Sequence, residues 1–238
     1  HRGGSLVELD FHSARMNLSL ANKNTVICGG SRGIGRSIAL AFAEAGANVS
    51  ICARGEASLR ETEAELARLG HKVHAAACDL ADGPAVKRYV AAAAESLGGI
   101  DVLVNNASGF GRTDDEESWA LSISVDLMAS VRASHAAQPF LERSRGSIIH
   151  ISSIAGLKAS TRTPPYGAVK AALIQYTLTQ ASALARKRVR VNCIAPGSVE
   201  FPGGLWDIAK RDNPKLYHGI LSSIPFDRMG RPEEIASV

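Results

Sequence analysis

From Asn24 onward, short runs rich in Val, Ile, Ala and Cys alternate with longer stretches whose apolar positions recur every three or four residues. The short runs Thr25–Cys28, Asn48–Cys52, Lys72–Cys78, Ile100–Val104, Ser147–Ile151 and Arg190–Ile194 predict strands. The stretches between them, Gly33–Ala45, Glu56–Leu69, Pro84–Ser96, Glu116–Leu141 and Pro165–Ala185, predict helices. Strands separated by helices of this length indicate βαβ units and a parallel sheet. Gly46, Gly70, Gly98 and Gly99 stand where the first three helices should end. The expected fold class is α/β, with one doubly wound parallel sheet. Ser198–Gly230 breaks the pattern with Pro202, Pro214 and Pro225 and the bulky Phe201, Trp206, Tyr217 and Phe226. Ligands of open α/β sheets bind outside the carboxyl ends of the strands, so this segment is expected as a lid or substrate loop after the sixth strand. The alternative is a plain surface excursion. One more helix begins at Pro232.

The chain has 238 residues, 45% of them hydrophobic and only 5% aromatic, so the core must be built from Ala, Val, Ile and Leu. No linker or repeat divides it. Residues 16–238 are read as one domain, with Met16 as the natural start and His1–Arg15 as an upstream extension or tag. No apolar run reaches the ~18 residues of a membrane span, and residues 1–15 carry no apolar signal core. The net charge is +4. Its one dense cluster, Arg186, Lys187, Arg188 and Arg190, reads as a solvated helix end, which argues against nucleic acid as a partner. Cys28, Cys52, Cys78 and Cys193 are far apart, lie in apolar runs read as strands, and suit a reducing, cytoplasmic setting. The seven histidines show no metal-ligand spacing, so no metal is expected.

Cys28-Gly29-Gly30-Ser31-Arg32-Gly33-Ile34-Gly35 follows the first strand and opens the first helix. Glycines there let backbone N–H groups approach a pyrophosphate at the helix N-terminus, the Rossmann-like arrangement. An NAD site places an acid about 20 residues on, to accept from the adenosine ribose. The second strand instead ends Ile51-Cys52-Ala53-Arg54. Arg54, with Arg32, offers guanidinium forks to a 2′-phosphate, which selects NADP over NAD. The other reading of Arg54 is a solvated arginine after a strand.

Tyr166 and Lys170 stand at i and i+4 on a predicted helix, so phenol and ammonium share one face. A tyrosine active near neutral pH needs ~4 kcal/mol of stabilisation of its phenolate, which a nearby Lys⁺ and a cationic nicotinamide would supply. The bland alternative is a buried Tyr beside a surface Lys. Ser152-Ser153 closes the fifth strand on the same rim, where a hydroxyl can hold a substrate oxygen.

Together these pieces resemble the classical short-chain dehydrogenases/reductases, of the 3-oxoacyl-reductase-like kind, over Ala21 to Val238. The resemblance rests on the Gly29/Gly33/Gly35 turn, Asp79 after the third strand, Asn105-Asn106-Ala107, Ser153, Tyr166/Lys170 and Pro196-Gly197. It implies hydride transfer between a nicotinamide and a carbonyl or alcohol carbon. Tyr166 would be the general acid/base. Lys170 would bind the nicotinamide ribose and depress the tyrosine pKa, and Ser153, thirteen residues before Tyr166, would orient the substrate oxygen. It also implies a cofactor site of Gly29, Ser31, Arg32, Gly33, Ile34, Gly35, Arg54, Asp79, Leu80, Asn106, Tyr166, Lys170, Pro196, Gly197 and Val199. Asp79 would contact adenine, Asn106 would face the cofactor from the fourth strand, and Pro196-Gly197 would face the nicotinamide.

The sequence departs from the family pattern at four positions. Cys28 replaces a threonine in the turn, Ser108 replaces the glycine after Asn105-Asn106-Ala107, and Phe201 stands where a threonine supports the cofactor. Asp126-Leu127 replaces Asn-Leu, so the fourth catalytic residue is Asp126, acting chiefly through its backbone carbonyl on a relay water. A buried carboxylate there is costly without a dedicated partner. Phe110, Trp119, Trp206 and Tyr217 are candidates for a pocket wall or for ordinary packing. Family members continue past the helix at Pro232 with a final strand, so Val238 is expected to precede a missing tail. A homodimer or homotetramer built on Glu116–Leu141 and Pro165–Ala185 is expected, with a small carbonyl or alcohol as the other partner. An NADP-binding regulatory or scaffold protein with lapsed catalysis is the alternative function.

Overall fold

The computed structural model describes residues 19–238. The expected start at Met16 lies outside the described residues. Strands β1 (Asn24–Cys28), β2 (Asn48–Ala53), β3 (Val73–Ala77), β4 (Val102–Asn105), β5 (Ser147–Ile151) and β6 (Arg190–Ile194) form one sheet in the order β3-β2-β1-β4-β5-β6. Every neighbouring pair is parallel, with Cys28 opposite Cys52 and Asn105 opposite both Cys28 and His150. All six expected strands are present, within two residues at each end. Cys78 falls just beyond β3 rather than inside it, where its amide donates to the Ala53 carbonyl.

Alternation along the strands sends side chains to two cores. Val26, Cys28, Cys52, Leu103 and Ile148 point to one face, against α3 (Gly83–Leu97) and α5 (Ala129–Ser144). Ile27, Val49, Ile51 and Val104 point to the other, against α1 (Gly33–Glu44) and α2 (Glu56–Ala67). Val26, Ile27, Ile51 and Leu103 are wholly excluded from solvent, and each such side chain stabilises the fold by roughly 1.5–3 kcal/mol over an exposed one. Covering both faces is what an all-parallel sheet requires.

Two expectations need correction. The helix expected over Glu116–Leu141 is broken: α4 (Glu116–Leu121) passes through a π-helical turn, Ser122–Met128, before α5 begins. Wider i→i+5 bonding is rare and tends to mark sites where a side chain must be redirected. Here it turns Ser122 and Asp126 fully inward. The segment expected as an irregular lid carries two helices, α7 (Leu205–Asp212) and α8 (Pro214–Leu221), packed through Ala209, Tyr217 and Met229. Asn213 starts α8 by accepting from the Leu216 amide at 3.2 Å, with Pro214 at its first position. The segment is closed by a bridge between Val199 and Gly230. Helix α6 (Pro164–Leu184) covers β5 and β6, and α9 (Pro232–Ala236) is tied to α1 by Ser37 donating to Glu233 at 3.0 Å. Among the described residues, no helix is long and apolar enough to cross a membrane.

Candidate active site

The strand order reverses between β1 and β4, and a cleft of ≈ 730 Å³ opens there, outside the strand carboxyl ends. The turn from β1 to α1 forms its floor. Gly29 has φ 85°, and a Cβ there would meet the Ala107 backbone at 2.9 Å. A Cβ on Gly35 would fall 2.0 Å from the Gly29 carbonyl oxygen, so only glycine lets helix and turn close up. Asn106 locks this contact by donating from Nδ2 to the Gly29 oxygen at 2.8 Å. The first turn of α1 has no side-chain cap and no acidic residue, which leaves its amides open to an anion.

The expected residues separate into those that line the cleft and those that support it. Gly29, Ser31, Arg32, Ile34 and Arg54 line one end, with both arginines exposed. Asp79 and Leu80, after the edge strand β3, line the same end as Arg54; Asn106, after β4, lies between, and Ser153, Tyr166, Lys170, Pro196 and Gly197 line the other end. Gly35 lies behind the turn. Val199 is buried in its bridge to Gly230. Gly33 lies beneath the Phe201 ring, whose carbons stand 2.6–2.8 Å from where a Gly33 Cβ would be. Phe201 therefore roofs the turn where a threonine was the family pattern. Asp126, behind Lys170, is fully buried.

The two serines after β5 divide their work. Ser152 donates to the Lys170 carbonyl at 2.8 Å and so anchors α6. Ser153 lines the cleft, its Oγ accepting from the Ala155 amide at 3.1 Å. This separates them as the spacing to Tyr166 did. Burial pushes the Tyr166 phenol up to about 12, opposed by the Ser153 hydroxyl and reinforced by the Asp126 charge. The expectation of a depressed phenol is thus not met by the protein alone. Lys170 explains why. Its ammonium, pushed down by burial and partly restored by Asp126, is 3.3 Å from Asp126 Oδ1 and donates to the Ile151 carbonyl at 3.0 Å. It stands 5.5 Å from the centre of the Tyr166 ring.

Asp126 stands beside Lys170, as its place in the family pattern suggested, but sequence reasoning did not anticipate its other contacts. Its Oδ2 accepts from the amides of Gly109 and Phe110, each at 3.1 Å, so the carboxylate has dedicated partners on two sides. The argument for a backbone role, that no such partner exists, therefore fails. Phe110, held at φ 55°, puts its ring edge-on against Tyr166. Trp206 and Tyr217 pack within the α7–α8 cluster, and Trp119 donates to Asp114. Of the four candidate wall residues, only Phe110 reaches the tyrosine.

The donor set fits a nicotinamide dinucleotide: open helix amides over a glycine floor, exposed arginines at one end, and a Ser-Tyr-Lys group at the other. A family model described as short chain dehydrogenase matches residues 23–209. The 3-oxoacyl-(acyl-carrier-protein) reductase FabG of Chlamydia trachomatis is 37% identical over 226 residues, 91% of this chain and 88% of its own. The Pseudomonas aeruginosa RhlG/NADP active-site complex is 34% identical with a TM-score of 0.84, covering 92% of this chain and 88% of that one. A 7α-hydroxysteroid dehydrogenase complexed with NADH and 7-oxo glycochenodeoxycholic acid is 28% identical with a TM-score of 0.86, covering 93% and 87%.

Proposed function

The chain belongs to the short-chain dehydrogenase family, and on that premise we propose that it is an NADP(H)-dependent reductase of ketone or oxoacyl-type substrates. The observation that carries this is the convergence of Ser153, Tyr166 and Lys170 at one end of the cleft, opposite Arg32 and Arg54. A bound nicotinamide would supply or accept the hydride. Tyr166 gives its phenolic proton to the substrate oxygen in reduction and takes it back in oxidation. Ser153 holds that oxygen. Lys170 would hold the ribose of the bound cofactor, and Pro196-Gly197 would flank its nicotinamide. Arg54 and Arg32 select the 2′-phosphate, and the NADP-bound relative supports this while the NADH-bound one marks the competing choice. Asp79, Leu80 and Asn106 line the adenine-to-ribose path.

A homo-oligomer is part of the proposal. Helix α6 carries Ala168, Ala171, Ala172 and Leu178 outward, and Leu178 is 62% exposed. Gln175 and Thr179 border these residues, the mixed apolar and polar make-up of a subunit contact. Light scattering that reports a monomer would count against this.

The test is NADPH oxidation over a panel of ketones, quinones, sugars and oxoacyl thioesters. Turnover with at least one class is expected, and Tyr166→Phe should lower it by about 100-fold or more, the scale of a general acid, with NADPH affinity unchanged. Tight NADPH binding without turnover on any class would instead favour a regulatory or scaffold role.

A further inference from the structure

Asp126 is the one buried charge in the site that the proposed chemistry does not use. It is completely excluded from solvent, and Lys170 is 2% exposed. Among the described residues Oδ1 has no partner apart from Lys170, whereas Oδ2 is held by two backbone amides. A carboxylate fixed on both sides in this way cannot turn away from the ammonium. The pair therefore presents the phenol with a positive and a negative charge together, where an amide in place of Asp126 would present the positive charge alone.

The other groups packed around it do not alter this balance. His150 on β5 faces Asn105 and Gln180 through its two ring nitrogens, and burial favours its neutral form. Cys193 on β6 is kept as a thiol by burial. Arg112 stacks on the Phe110 ring, 5.6 Å from its centre, and is exposed. Ser153 is neutral.

We propose that Asp126 is a positioning residue that neutralises Lys170 and so keeps Tyr166 as the protonated phenol, equipping the site to donate a proton to a carbonyl oxygen at neutral pH. Taking a proton from an alcohol is deferred to alkaline pH. The inference rests on the reading of Tyr166 as general acid/base, but the proton state of the phenol can be measured without turnover.

The experiment is an ultraviolet phenolate titration of the protein as isolated. The spectrum of Tyr166→Phe is subtracted to isolate Tyr166, and the subtraction is repeated in an Asp126→Asn background. Wild-type Tyr166 should stay protonated above the ordinary ~10 of a tyrosine. In Asp126→Asn its titration should fall by about one pH unit or more, the size of a nearby charge effect. The pH at which alcohol oxidation rises should fall with it. Equal titrations in the two backgrounds would overturn the proposal. If Asp126→Asn does not fold, the wild-type titration decides: a phenol that ionises at or below ~10 overturns the proposal. A shifted titration in a protein that turns over no carbonyl would sink the reductase reading and leave the ion-pair effect standing. Turnover without a shift would do the reverse.

Discussion

Phe110 meets Tyr166 edge-on, with ring centroids 4.8 Å apart and planes at 74°, and it does so from a left-handed backbone at φ 55°. That conformation costs a non-glycine residue on the order of 1–2 kcal/mol. It persists because the Asp126 carboxylate grips the amides of residues 109 and 110, and because the ring contact returns energy. Backbone strain, a buried anion and the proposed acid/base are thereby joined over one short loop.

Phe110→Gly separates these contributions. Relief of ~1–2 kcal/mol of backbone strain opposes loss of an aromatic pair worth ~0.5–1.5 kcal/mol and the flexibility a glycine adds. Stability should therefore stay within ~1 kcal/mol of wild type in a urea titration. The KM for an apolar ketone should rise by about tenfold, the ~1.4 kcal/mol of a lost apolar contact. A large stability loss with unchanged KM would mean that the ring is packing rather than pocket wall.

Arg54 is exposed at the far end of the cleft. Arg54→Asp replaces a phosphate-binding fork with a ribose acceptor that repels a phosphate. The ratio of NADPH to NADH affinity, read by fluorescence titration, should fall at least tenfold, about 1.4 kcal/mol. Wild-type protein that already prefers NADH would make the arginine argument wrong.

Phe201 covers Gly33 and also crowds Gly204, where its ring carbons lie 2.9–3.0 Å from an added Cβ. Phe201→Thr removes that roof and offers a hydroxyl. One added hydrogen bond is worth ~0.5–1.5 kcal/mol, so NADPH should bind roughly threefold to tenfold tighter by calorimetry. Weaker binding would show instead that the ring packs on the cofactor.

Lys170→Met leaves the Asp126 carboxylate buried beside a thioether. Removing one partner of a buried pair costs ~3–5 kcal/mol, far more than an exposed pair such as Lys187–Glu142 contributes. Denaturant unfolding should show a loss of that order for Lys170→Met and less than ~1 kcal/mol for Lys187→Met. Comparable losses would mean that the 3.3 Å Asp126–Lys170 pair is not stabilised in the way its burial implies.

Much was legible in the sequence because it depends on local periodicity. The six strands, the helices between them and the glycine turn follow from repeats of two and 3.6 and from turn chemistry, which neighbouring residues decide. Tyr166 and Lys170 share a site because they are four apart on one helix, and Ser153 because it lies just past the end of the adjoining strand. The α7–α8 pair was partly legible too, since Asn213-Pro214 is a helix start that the surrounding prolines obscured.

What the sequence could not decide was how residues far apart in the chain share charge and space. The spacing of Asp126 reveals nothing of Gly109 and Phe110, because a π-helical turn rather than an α-helix aims its side chain. Nor does the pattern place Phe201 over Gly33, which takes the loop after β6 folding back across β1. The direction in which the Tyr166 proton is held is a sum over burial, Ser153 and Asp126, contributed by β5, α6 and the π-helical turn. The local code determined the scaffold and which side chains face the cleft. Only tertiary structure decided their protonation and their roof, because both depend on desolvation and on Coulomb interactions that act through space.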